Sequence, residues 1–116
     1  MKATRMITRR LPLFIAVAAF ASLAANANAA NLEAGKKFAS DVCVACHGVD
    51  GNPANPDYPK LGGQHADYLA KTLRDYQSGA RNNAIMKGFA ASLSVQDMED
   101  LAAWFSTQKS SLHFQR

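Results

Sequence analysis

Cys43 and Cys46 are separated by two residues, and His47 follows the second of them directly. Two thiols three positions apart lie on one face of a helical turn. Haem presents two vinyl groups on neighbouring rings of its macrocycle, and each thiol can add to one of them. The imidazole next to the second thiol then comes beneath the iron as a nitrogen ligand. The spacing C-x-x-C-H is therefore read as a site of covalent haem attachment. Three other chemistries fit parts of the pattern. A thioredoxin-like redox pair needs a βαβ setting, which is not visible here. A structural zinc site wants a second pair of ligands, and His65 and His113 are each unpaired. A disulfide across two intervening residues is strained and closes a tiny loop, so it adds little.

An iron that only carries electrons takes a second axial ligand. Methionine sulfur is a common one, and it raises the potential relative to two nitrogens. Past residue 29 the chain holds only Met86 and Met98. Met98 falls on the apolar stripe of a helix and reads as core. Met86 falls in a loop and is followed by Lys87 and Gly88. An unbranched thioether with a glycine beside it suits a distal ligand segment, so His47 and Met86 are the expected iron ligands. His65 is the rival for the sixth position, but it opens a helix and reads as facing water. A ligating imidazole normally donates its other N–H to a carbonyl or carboxylate. The loop after the motif has many carbonyls, and spacing alone does not choose among them.

The elements that must position these groups read as helices, because no segment alternates as a strand would. The first runs from about Leu32 into Cys43, with Phe38, Ala39 and Val42 facing inward. The second runs from about Gln64 to Ser78, with Tyr68, Leu69, Leu73 and Tyr76 at helical spacing and Gly79 as its stop. The third opens at Ser94, an N-cap with Asp97 three residues on. Its Met98, Leu101, Ala102 and Phe105 form an amphipathic stripe. It fades near Gln108, and the tail to Arg116 reads as loose. Gly48 to Gly63 is a loop dense in glycine and proline, and Gly79 to Leu93 is a second loop. Three short helices with so much loop make a poor core alone, and a large apolar ligand would complete it. The expectation is an all-α fold.

Lys2, Arg5, Arg9 and Arg10 precede an apolar run from Leu11 to Ala25, and Ala27-Asn28-Ala29 follows. That order is an export signal over residues 1–29, which leaves a domain over 30–116. The apolar run is shorter than the roughly 20 residues that span a bilayer. Arg9-Arg10 also suggests a twin-arginine route. Covalent haem is attached to an unfolded chain outside the cytoplasm, so the pair reads as ordinary positive charge at the start of a signal. The whole chain carries 13 basic and 9 acidic residues, a formal charge of +4. All the excess lies in the signal, and residues 30–116 balance. The high isoelectric point thus says nothing about nucleic acid or membranes. A domain this small often needs a metal, a disulfide or a cofactor to hold it together.

The chain resembles the class I c-type cytochromes. It is similar to small periplasmic c-553-type proteins and to one half of the dihaem c-four-type proteins. The matching residues are Cys43 to Gly48, Tyr58-Pro59-Lys60-Leu61-Gly62-Gly63-Gln64-His65, Tyr68-Leu69 with Lys71, Met86-Lys87-Gly88, and Leu93-Ser94 leading to Leu101 through Phe105. The resemblance implies a small cytochrome c fold, with three main helices and long loops around one covalent haem c. It implies that Pro59 gives its carbonyl to the His47 imidazole and that Met86 ligates the iron. It also implies that Gly35 and Phe38 of the first helix cross Trp104 or Phe105 of the last. With one motif, one haem is expected. The cofactor-binding set is then Cys43, Cys46, His47, Pro59 and Met86, with no catalytic residue. The expected role is a periplasmic electron carrier and not an enzyme. It would be a monomer that meets redox partners such as a terminal oxidase or another respiratory enzyme. It would bind no nucleic acid, and would meet a membrane only through partners. Lys60, Lys71, Arg81 and Lys87 are either a positive docking rim or ordinary solvated charge. The alternative is a haem protein with an open sixth position that binds a ligand or performs catalysis.

Overall fold

The computed structural model describes residues 29–112. The expected export signal lies outside the described residues except at its last position, and so does His113. Helices α1 (Leu32–Phe38), α2 (Val44–His47), α3 (Ala66–Ser78), α4 (Ala84–Ala90) and α5 (Val95–Thr107) make the fold, and no strand occurs among the described residues. A π-helical turn, Ala39–Cys43, joins α1 to α2, so the chain runs helically from Leu32 through the whole C-x-x-C-H motif. Within that turn the Val44 N–H reaches back five residues to the Ala39 carbonyl. One extra residue is thereby spliced into the helix, a distortion often found at functional sites. No helix among the described residues is long and apolar enough to cross a membrane.

Helices α1, α4 and α5 each begin where an N-cap side chain takes up free N–H groups. Asn31 accepts from the N–H of Glu33 and Ala34. At α5, Ser94 and Asp97 form a reciprocal capping box. Gly79, at φ 84°, ends α3 in the left-handed conformation. The stripe expected on α5 is the centre of the core, where Met98, Leu101, Ala102 and Phe105 are buried against Leu69 and Ala70 of α3. Across the other face of α5 runs α1. The two backbones approach so closely at Gly35 that a Cβ there would lie 2.0 Å from the Asp100 carbonyl oxygen. The buried Asp100 carboxylate secures the crossing by accepting from the Asn31 N–H at 2.7 Å.

Two expectations need correction. The segment read as a loop from Gly79 to Leu93 contains α4, and Met86 lies on that helix. Asn83 caps it by accepting from the Met86 N–H at 2.9 Å. Packing does not require Gly88 inside it, since nothing lies within 4 Å of where its Cβ would stand. The tail is also not loose over its described part. Asn52 donates to the Lys109 carbonyl and accepts from the Ser111 N–H, both at 2.9 Å, and Lys60 donates to the Ser111 hydroxyl. The long loop is pinched shut where Leu61 and Gly62 donate to the Gly51 carbonyl. Side chains would forbid that pinch, since a Cβ on Gly51 would lie 2.5 Å from the Gly62 nitrogen.

Candidate functional site

The cleft is framed by the end of the first helical run, the long loop, α3 and α4. Phe38 and Val42 come from the first run, Leu73 and Tyr76 from α3, Ile85 and Phe89 from α4, and Leu93 and Leu101 from beyond it. Its volume is about 270 Å³. Among this apolar lining sit the chemically active groups singled out from sequence: Cys43, Cys46, His47, Pro59 and Met86 all face one cavity. Residues 43 apart at the extremes are thus brought together by the turn of the chain through α3 and α4. His65 is not among the lining residues; it is the exposed N-cap of α3. Met98 is wholly buried in the core.

His47 is buried at the end of α2, and its Nδ1 lies 2.9 Å from the Pro59 carbonyl oxygen. A carbonyl can only accept, so Nδ1 is the donor, and in the neutral ring Nε2 then keeps its lone pair. That is the tautomer a metal-binding imidazole needs, with the outer hydrogen bond fixing the ring. The Tyr58 ring meets the imidazole nearly edge-on, with centroids 6.5 Å apart. The loop that presents Pro59 is held by the Gly51 pinch at its base and by the Asn52 clasp on the tail. At its start, Trp104 Nε1 of α5 donates to the Val49 carbonyl at 3.0 Å. The orientation of one imidazole therefore draws on α2, the loop, α5 and the tail.

The two thiols are free and half-buried, on one side of the helical run. Burial pushes the Cys43 thiol up to about 11, and the neighbouring Cys46 pushes it the same way. Such a thiol stays protonated at neutral pH, unlike a thiol whose surroundings favour the thiolate. The donor set suits haem: a wide apolar slot, two thiols one turn apart, one imidazole with a lone pair to give, and one thioether on the same cleft.

Some contributing residues were not visible from sequence. Asn52, and Gln77, whose amide donates to the Ala90 carbonyl, carry no local pattern that distinguishes them from surface residues. Asn83 does: an asparagine immediately before a short run of helix formers is an N-cap signal.

The family model described as cytochrome c matches residues 32–109. The cytochrome c4 of Pseudomonas aeruginosa is 44% identical over 86 residues, covering 74% of this chain and 43% of that protein. The cytochrome c-554(548) of Halomonas halodenitrificans is 46% identical over 70 residues, covering 58% of this chain and 84% of that protein. Among solved structures, reduced recombinant cytochrome c4 from Pseudomonas stutzeri superposes with a TM-score of 0.67 at 45% identity, covering 72% of this chain and 48% of that one. The chain spans less than half the length of the cytochrome c4 proteins it resembles.

Proposed function

Because the chain belongs to the cytochrome c family and takes one covalent haem c, we propose that residues 30–116 form a periplasmic monohaem electron carrier, with residues 1–29 as its cleaved export signal. The observation that carries this reading is the meeting of both thiols, the Pro59-bound imidazole and the Met86 thioether in one apolar cleft. Bound there, haem supplies a reversible one-electron couple at its iron. Cys43 and Cys46 would tether the group through two thioethers. His47 would offer Nε2 to the metal, and its hydrogen bond to Pro59 would make the imidazole a stronger donor. Met86 would offer its thioether to the iron and would favour the reduced state relative to a second imidazole. The apolar walls would keep water from the group and hold these residues in place. No bond of a substrate is made or broken in this reading. Partners are redox proteins such as a terminal oxidase or another respiratory enzyme, met through small and transient contacts.

The test is an absorption spectrum of the oxidised holoprotein. A weak sulfur-to-iron band near the red end, lost in Met86→Ala, supports the reading. Bound haem without that band in the unaltered protein points instead to an open or differently ligated iron and a ligand-binding or enzymatic role.

A further inference from the structure

We propose that Gln77 is a positioning residue for the sixth iron ligand: its amide fastens α4 in the place where Met86 reaches the cleft. The inference rests on the reading of Met86 as that ligand. Seven residues are too few for a helix to be stable alone in water, and α4 carries Gly88 in its interior besides. Its first turn is closed by its own Asn83. Its last turn is met by its own chain, through the Leu93 N–H on the Ala90 carbonyl, and also from outside. Gln77 Nε2 donates to the Ala90 carbonyl and to the Leu93 carbonyl, each at 2.9 Å. The amide has two N–H groups, so one serves the end of α4 and the other the segment leading to α5.

The clamp comes from a firm base. α3 has thirteen residues, packs on α5 and gives Leu73 and Tyr76 to the cleft. In the other direction, Lys87 of α4 brings its Nζ near the C-terminus of α3, 3.5 Å from where a Cβ on Gly79 would stand. That places a cation near the negative end of the α3 dipole. Met86 lies one turn before Ala90. Gln77 itself does not line the cleft, so removing its amide leaves the contacts of the ligand unchanged and frees only the helix that carries it.

A small ligand from solution reaches the iron only when Met86 has left it. Its apparent affinity is set by the population of that open arrangement. The ferric holoprotein is therefore titrated with imidazole at one fixed pH. Gln77→Leu, and Gln77→Glu with its donors removed at the same length, are expected to bind imidazole about tenfold more tightly, equivalent to about 1.4 kcal/mol. Both should still show the sulfur-to-iron band before imidazole is added. Gln77→Lys restores a donor and should return the affinity towards that of the unaltered protein. Ser94→Ala weakens the cap of α5 and serves as a control for general destabilisation. Unchanged affinity in Gln77→Leu and Gln77→Glu overturns the proposal, as does an equal tightening in Ser94→Ala. If the unaltered protein lacks the band and Met86→Ala binds imidazole no more tightly, the ligand assignment itself has failed, and the role of Gln77 falls with it.

Discussion

Replacing Gly35 by alanine adds one methyl group at the crossing of α1 and α5. Its Cβ would stand 2.0 Å from the Asp100 carbonyl oxygen, 2.6 Å from the carbonyl carbon and 3.1 Å from Trp104 Cβ. Even the closest ordinary C–H···O contacts are about 3.3 Å. The two helices must therefore part by about 1 Å or more, since backbone cannot swing aside as a side chain can. Parting stretches the 2.7 Å bond from the Asn31 N–H to the Asp100 carboxylate and lifts Lys36 from the Trp104 ring. Overpacking costs about 1–3 kcal/mol and sometimes more, against which alanine returns about 1 kcal/mol of helix propensity. With the clash on backbone atoms the upper end applies, for a net loss of about 2–3 kcal/mol. For a domain of this size that lowers the melting temperature by roughly 10–20 °C. The assay is thermal unfolding of the holoprotein followed by far-ultraviolet circular dichroism, with Gly88→Ala as the matched control. The control site is also helical, yet nothing lies within 4 Å of its missing side chain, so that variant should hold or gain stability. A Gly35→Ala protein melting within about 4 °C of the unaltered one, or no lower than Gly88→Ala, refutes the claim that the crossing is set by backbone contact.

The two methionines should separate cleanly. Met98→Ala, at a fully buried core position, should cost about 2–5 kcal/mol in denaturant unfolding yet keep the sulfur-to-iron band; loss of the band there would reverse the assignment. Asn52→Ala removes both bonds to the tail, at about 0.5–1.5 kcal/mol each, and should speed tryptic cleavage after Lys109; an unchanged cleavage rate means that the clasp does not hold the tail. The Ser94 hydroxyl and N–H hold the Asp97 carboxyl below its ordinary value. Its contribution is therefore complete above about pH 4 and fades as the pH falls through the lowered folded value. Asp97→Asn should flatten that part of the acid limb in stability measured against pH, and an acid limb identical to that of the unaltered protein would contradict the capping box.

What the sequence disclosed follows from how local each signal is. The C-x-x-C-H spacing, the α5 stripe, the Ser94 cap and the Gly79 stop depend on residues within a turn or two of each other, and each was readable along the chain. The partner of His47 was not, because twelve residues of loop offered many carbonyls; Pro59 came only through family resemblance, and its carbonyl oxygen lies 2.9 Å from His47 Nδ1. α4 was missed because its stability is borrowed. Gly88 lowers its propensity, and the Gln77 amide that offsets this comes from thirteen residues away in the chain. The Asn52 clasp was invisible for the same reason, since it joins positions nearly sixty residues apart.

The π-helical turn at Ala39–Cys43 acts as a phase shifter. A straight α-helix advances about 100° per residue, so its early and late residues share one fixed angular scheme. The inserted residue breaks that scheme. Gly35 is thereby timed to face α5, while Cys43, Cys46 and His47 are timed to face the cleft. Were the same residues wound as an unbroken α-helix, every functional residue would remain in the chain, but the attachment motif would turn by about a quarter of a revolution relative to the crossing. The protein would then satisfy the motif and fail the geometry. A pattern search would still score it as a haem-binding sequence, although its thiols and imidazole would no longer face the cleft.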